Sequence, residues 1–135
     1  MVFMSKSRIL VVDDDPKLSG LLAVILSRVG GYEVLEENRP FAAVQVAQKF
    51  CPHLIMLDVD MPGKDGGAVY TDLSNHPLLK QVPVVFVTSL ISKKEAGIRN
   101  GKRYLSKPVD PTTLLETVRA LCPRHRPDDA TAAIA

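Results

Sequence analysis

The sequence offers little of what metal, redox or membrane chemistry needs. Cys51 and Cys122 lie far apart and form no CxxC pair or metal-spaced cluster, which excludes a zinc-ribbon or dithiol motif. Each falls near the end of an expected helix, where a small apolar filler is the plain reading. His53, His76 and His125 are isolated and take no role. No apolar run approaches the roughly 18 residues that span a membrane, and the segment from Met1 to Arg8 lacks the long apolar stretch of a signal peptide. The expected location is cytoplasmic. An excess of one charge is missing too. A net charge of +2 with 24% charged residues is neither the basic stripe of a nucleic-acid binder nor an acidic, disordered composition. Lys93-Lys94 and Lys102-Arg103 are short clusters that read as solvated surface. With 135 residues, 46% of them apolar, the chain can form one domain around a core.

What is present is an alternation of strand and helix signals. Arg8 to Val12 is apolar after its first residue, as a strand covered on both faces should be. Asp15-Pro16, a cap followed by proline at the first helical position, opens a helix with Leu18, Leu21, Leu22, Ile25 and Val29 on its buried stripe. Gly30-Gly31 ends it. Tyr32 to Glu36 is a shorter, more polar strand suited to a sheet edge. A second helix runs from Pro40 through Phe41, Val44, Ala47 and Phe50, and Pro52 ends it. The third strand, His53 to Leu57, leads into Asp58. Pro62-Gly63 and Gly66-Gly67 mark a loop before a helix at about 68–74, and Val82 to Val87 is the fourth strand. Ser92 to Arg103 is charged and glycine-punctuated, so any fourth helix there is short or irregular. The fifth strand, about Arg103 to Ser106, ends at Lys107-Pro108. Asp110-Pro111 opens a last helix with Leu114, Leu115, Val118, Leu121 and Cys122 on one face. Five alternations argue for a doubly wound α/β domain, a parallel sheet with helices on both faces. No internal repeat or interdomain linker is visible. One boundary is drawn, between 8–122 and a tail, 123–135, expected to be disordered.

Four sites of polar chemistry follow the apolar strands directly: Asp13-Asp14, Asp58, Thr88 and Lys107. In a parallel sheet all of them emerge at the carboxyl edge, where open α/β sheets bind ligands. Two unit charges about 4 Å apart repel by about 4 kcal/mol near a protein surface, so Asp13, Asp14 and Asp58 call for a cation between them. Oxygen-only ligands favour Mg²⁺ or Mn²⁺. Asp15 beside Pro16 is a helix cap, and one helix start needs no more than one. A carboxylate such as Asp58 can act as a nucleophile and form an aspartyl-phosphate. Lys107 can neutralise phosphoryl oxygens, and the Thr88 hydroxyl can donate to one of them.

At these residues the chain resembles the receiver domain of bacterial two-component response regulators. The matching pieces are Ile9-Leu-Val-Val-Asp-Asp-Asp-Pro16, Leu57-Asp-Val-Asp-Met-Pro-Gly-Lys-Asp-Gly66, Val85-Phe-Val-Thr-Ser89 and Tyr104-Leu-Ser-Lys-Pro108. The resemblance runs from about Arg8 to Cys122. It implies a flavodoxin-like, five-stranded parallel sheet in the order 2-1-3-4-5 and a two-component phosphorelay protein, not an enzyme acting on a separate substrate. By that resemblance Asp58 is the phosphoacceptor. Asp13, Asp14 and Asp58 hold Mg²⁺, with the Asp60 backbone carbonyl as a further contact. Thr88 is the switch hydroxyl, Tyr104 the aromatic that moves with it, and Lys107 the phosphate-binding lysine, followed by a cis Lys-Pro peptide. From this chain alone Tyr104 reads equally as a half-buried strand aromatic. The implied donor is a sensor histidine kinase or a His-containing phosphotransfer protein. The output would pass to a downstream protein or a covalently linked domain, with no direct nucleic-acid or membrane binding.

The chain departs from that pattern between Thr88 and Lys107, which lie a few residues closer than in most receivers. Asn100-Gly-Lys-Arg103 stands where an acidic Gly-Ala-Asp-Asp-like stretch is common, and the missing length comes out of the fourth helix. Asp60 adds a negative side chain beside the acceptor and is expected to alter dephosphorylation. No output domain follows the receiver-like region, which fits a stand-alone receiver or one domain of a larger regulator or hybrid kinase. Two rival readings remain. One is a degenerate receiver that binds partners without phosphorylation. The other is a haloacid-dehalogenase-type phosphatase suggested by Asp58-Val-Asp60, although that motif normally follows a first strand.

Overall fold

The apolar strands expected from the sequence form the centre of one mixed sheet. The computed structural model describes residues 3–127. The elements are β1 (Met4–Lys6), β2 (Arg8–Val12), α1 (Pro16–Val24), β3 (Glu33–Glu37), α2 (Ala43–Phe50), β4 (Leu54–Asp58), α3 (Gly66–Asn75), β5 (Val84–Thr88), β6 (Gly97–Arg99), β7 (Lys102–Ser106), α4 (Pro111–Leu121) and β8 (His125–Pro127). The sheet order is β3-β2-β4-β5-β7-β6. Its first five strands are parallel and correspond to the expected 2-1-3-4-5 order, with helices on both faces.

Alternate side chains of the central strands feed two cores. Ile9, Val11, Met56, Val85 and Leu105 meet Leu22 and Leu26 of the first helix and Leu114 and Val118 of α4. Leu10, Val12, Ile55, Leu57 and Phe86 meet Ala43 and Ala47 of α2 and Val69 and Leu73 of α3. Both faces of β2 and β4 are thus removed from water, which is why these strands are continuously apolar.

The first helix turns only part of the expected stripe inward, Leu22 and Ile25 among it. Ser19, Leu22 and Leu26 are buried, whereas Leu21 and Val29 are exposed. Its last turn, Ile25–Val29, widens to a π-helical turn in which the Gly30 N–H donates to the Ile25 carbonyl at 3.0 Å. That extra residue per turn rotates Val29 out of the stripe. In the second helix the 3-10 turn Pro40–Ala42 likewise shifts the phase, leaving Phe41 exposed and turning Ala43 and Ala47 inward.

Two further differences lie at the sheet's ends. The stretch expected to hold a short or irregular fourth helix holds none. Gly97–Arg99 runs antiparallel to β7 and adds a sixth strand, the turn falling at Asn100 and Gly101, both at positive φ (52° and 76°). The segment after Pro123, expected as tail, forms β8 and pairs antiparallel with β1, Met4 opposite Pro127 and Lys6 opposite His125. The rest of that tail, 128–135, lies outside the described residues.

Candidate functional site

Strand register assembles the crevice. Val12 of β2 lies opposite Leu57 of β4, so Asp13 and Asp58 leave neighbouring strands side by side. Asp58 lies opposite Val87 of β5, and Thr88 opposite Ser106 of β7, which sets Lys107 one residue beyond. The Lys107 N–H donates to the Thr88 carbonyl at 2.9 Å, and the Lys107-Pro108 peptide is cis.

The side chains converge accordingly. Lys107 Nζ is 3.0 Å from Asp58 Oδ1 and 3.2 Å from Asp13 Oδ2. Asp58 is only 3% exposed. Carboxylate oxygens of Asp13, Asp14 and Asp58 lie within 4.8 Å of one another. The Asp60 N–H donates to Asp58 Oδ1 at 3.3 Å, while the Asp60 side chain is exposed. The buried Thr88 hydroxyl oxygen accepts the Leu90 N–H at 3.0 Å. Tyr104 stands apart from this cluster. Half-buried on β7, it stacks on Phe86 with ring centroids 5.1 Å apart.

Electrostatics follow from the packing. Burial pushes the Asp58 carboxyl up to about 6; Asp13 adds to the rise, and Lys107 and the Asp60 N–H oppose it. For Lys107, burial favours the neutral amine but is outweighed by Asp58 and Asp13, which hold its pKa above the usual lysine value. Three clustered carboxylates against one ammonium leave a net negative, oxygen-only cradle. That donor set fits a hard divalent cation.

Three further residues support the site, and two of them, Asn38 and Ser19, belong to no motif. Asn38, just past β3, donates to the Asp13 carbonyl at 2.7 Å and to Ser19 Oγ at 2.9 Å. Ser19 Oγ in turn donates to Glu36 Oε1 at 2.8 Å, so a polar chain ties α1 and β3 to the Asp13 backbone. Gly66 begins α3 against the end of β4 that carries Asp58, its N–H donating to the Val59 carbonyl at 2.9 Å. A Cβ there would meet the Asp58 carbonyl oxygen at 2.3 Å, so only glycine permits the approach. Gly66-Gly67 was visible as a turn signal; nothing in the sequence singled out Asn38 or Ser19.

A doubly wound sheet with an acidic cluster and a lysine at its carboxyl edge defines a phosphoacceptor type of α/β domain. The chain belongs to the response regulator receiver domain family, whose model matches residues 9–119. It is 34% identical over 118 residues to Protein PilH of Pseudomonas aeruginosa, covering 85% of this chain and 97% of that protein. It is 37% identical over 120 residues to the DNA-binding dual master transcriptional regulator RpaA of Synechocystis, covering 87% of this chain but only 49% of that protein. The chain therefore spans about half of the one relative and nearly all of the other. The crystal structure of chemotaxis protein CheY4 of Vibrio cholerae superposes with a TM-score of 0.76 at 27% identity, covering 87% of this chain and 100% of that one.

Receiver domains are signalling phosphoacceptors, phosphorylated by histidine kinases, rather than enzymes with a separate substrate. The acidic triad is of the kind that binds Mg²⁺ in receivers. Family membership removes the haloacid-dehalogenase reading, whose aspartate pair here follows the third parallel strand. No helix among the described residues is long and apolar enough to cross a membrane.

Proposed function

We propose that this receiver takes a phosphoryl group onto Asp58 from a histidine kinase or a His-containing phosphotransfer protein. The observation that carries the reading is Asp58 itself, buried at the end of a parallel strand with Lys107 at 3.0 Å and two further carboxylates within reach. An Asp58 carboxylate oxygen attacks phosphorus in line. An O–P bond forms, the N–P bond of the donor phosphohistidine breaks, and the freed imidazole nitrogen is left to take a proton. Asp13, Asp14 and Asp58, with the Asp60 carbonyl, would hold Mg²⁺ or Mn²⁺, which when bound neutralises charge on the phosphoryl oxygens.

Lys107 exchanges its contact with the carboxylate for one with a phosphoryl oxygen. The Thr88 hydroxyl, now accepting from Leu90, rotates to donate to another. Thr88 lies two residues from Phe86 on β5, and Tyr104 stacks on Phe86. Movement of Thr88 therefore reaches the surface through an aromatic contact. The output goes to a partner protein or to a covalently linked domain.

The test is intact-protein mass after incubation with acetyl phosphate and Mg²⁺. One phosphoryl group on wild type and none on Asp58→Asn is the expected outcome. A folded wild-type protein that gains no mass would leave the unphosphorylated scaffold as the correct reading.

A further inference from the structure

The helices cover the sheet unevenly. The segment between β5 and β7 contains no helix, and aromatic rings lie over that part of the sheet on the side of α2 and α3. Tyr70 of α3, Phe86 of β5 and Tyr104 of β7 form a continuous row, with centroid separations of 5.2 and 5.1 Å. Beside them, near the amino-terminal ends of β5 and β7, runs a groove of about 330 Å³ bounded by Tyr70, Phe86, Lys80, Ile98, Lys102 and Arg103. Ile98, 66% exposed, gives its hairpin wall an apolar lip.

Charge in the groove has one sign. Lys80, Lys102 and Arg103 line it and, among the described residues, no acidic one does. Lys102 Nζ lies 4.8 Å from the centre of the Tyr70 ring. None of the three cations is in an ion pair among the described residues.

We propose that this groove docks an acidic amphipathic helix of a partner protein. An apolar stripe at helical spacing would lie along Ile98 and the half-buried Val82 and Val84 that also line the groove, while Asp or Glu on the flanks would meet Lys80, Lys102 and Arg103. A second copy of the chain fits less well, because a two-fold contact through this patch would oppose cation to cation. A single-stranded nucleic acid needs open rings to stack on, and Phe86 is only 4% exposed while Lys102 sits over Tyr70. The groove lies at the opposite end of the strands from Asp58 and needs no phosphoryl group to exist, so the proposal does not rest on the phosphoacceptor reading.

The experiment pans a random peptide library, roughly 15 residues long to permit a helix, against the full unphosphorylated chain. The enriched peptides are then measured by fluorescence anisotropy. Acidic sequences with apolar residues at helical spacing are expected, with affinity falling about tenfold or more on Lys102→Glu/Arg103→Glu. Ile98→Asp, at an exposed position, serves as a second variant and should weaken the same peptides. Asp58→Asn should leave them unaffected, which separates failure of this proposal from failure of the phosphoacceptor reading. Four outcomes would overturn docking of an acidic helix: no enrichment, enrichment of basic or neutral peptides, equal binding to both groove variants, or displacement of the peptides by single-stranded DNA. A concentration-dependent dimer in sedimentation velocity that the same variants dissolve would assign the groove to self-association and also overturn it.

Discussion

Asp58 sits where burial and its proposed role as a nucleophile oppose each other. Its carboxyl is pushed from the ordinary carboxylate range to about 6, chiefly by burial. The folded protein therefore holds a proton there that the unfolded chain releases at lower pH. Between about pH 4 and 6 the native state binds more protons, so this group's contribution to stability falls as pH rises through that window. Urea denaturation of the metal-free protein should show wild type losing stability relative to Asp58→Asn across that interval, with the difference level above and below it. A pH-independent difference would mean that Lys107 already compensates the buried charge. Asn38 acts on the same crevice from behind, through the Asp13 carbonyl. Asn38→Ala should weaken Mg²⁺ binding severalfold by calorimetric titration and cost about 1 kcal/mol of stability from the lost hydrogen bonds. Asn38→Asp, which keeps an acceptor but loses the donor, should not restore affinity.

At the scale of elements, most of what positions the site could be read in the chain. The caps Asp15 and Asp110, each before a proline, start α1 and α4 as expected, with side chains accepting the Lys17 and Thr113 N–H groups. Each apolar strand ends within two residues of its expected end, and Asp13, Asp14, Asp58 and Lys107 meet because strand ends in register must meet. Helix phase was less legible. Leu21 and Val29 look like core by spacing alone, but the hydrogen bonds of Ser19 to Glu36 and Asn38 and the π turn orient α1 differently. Periodicity cannot anticipate a buried serine whose partners come from another strand. The hairpin does have a signal in the chain, because Asn100-Gly101 is a dipeptide strongly favoured in a two-residue turn with positive φ at both positions. A branched side chain cannot hold that conformation without strain. Gly101→Val should cost about 1–2 kcal/mol by urea denaturation and speed amide exchange of the Lys102 and Arg99 N–H groups, which face each other across the turn. Exchange in β2 and β4 should stay unchanged.

For the molecule as a whole, metal and fold are linked through the acidic edge. A cation that binds the assembled triad and not the unfolded chain raises stability by about 2.7 kcal/mol at a hundred times its dissociation constant. Millimolar Mg²⁺ should therefore raise the melting temperature of wild type. It should do nothing for an Asp13→Asn/Asp14→Asn variant, which should be no less stable than wild type when metal is removed. An unmoved wild-type melting curve would mean that the triad does not form a cation site.

The ribbon of β1 and β8 has a topological consequence. Met4 and Pro127 are directly paired, and β1 leads straight into the amino-terminal end of β2. Paired antiparallel residues stand about 4.5–5.5 Å apart, a gap that a few linker residues can bridge. The domain could therefore be spliced into a surface loop of a host protein, or rejoined end to end and reopened elsewhere. Either graft would leave from the pole of the sheet remote from the aspartates, so a cargo attached there would leave the acidic crevice open.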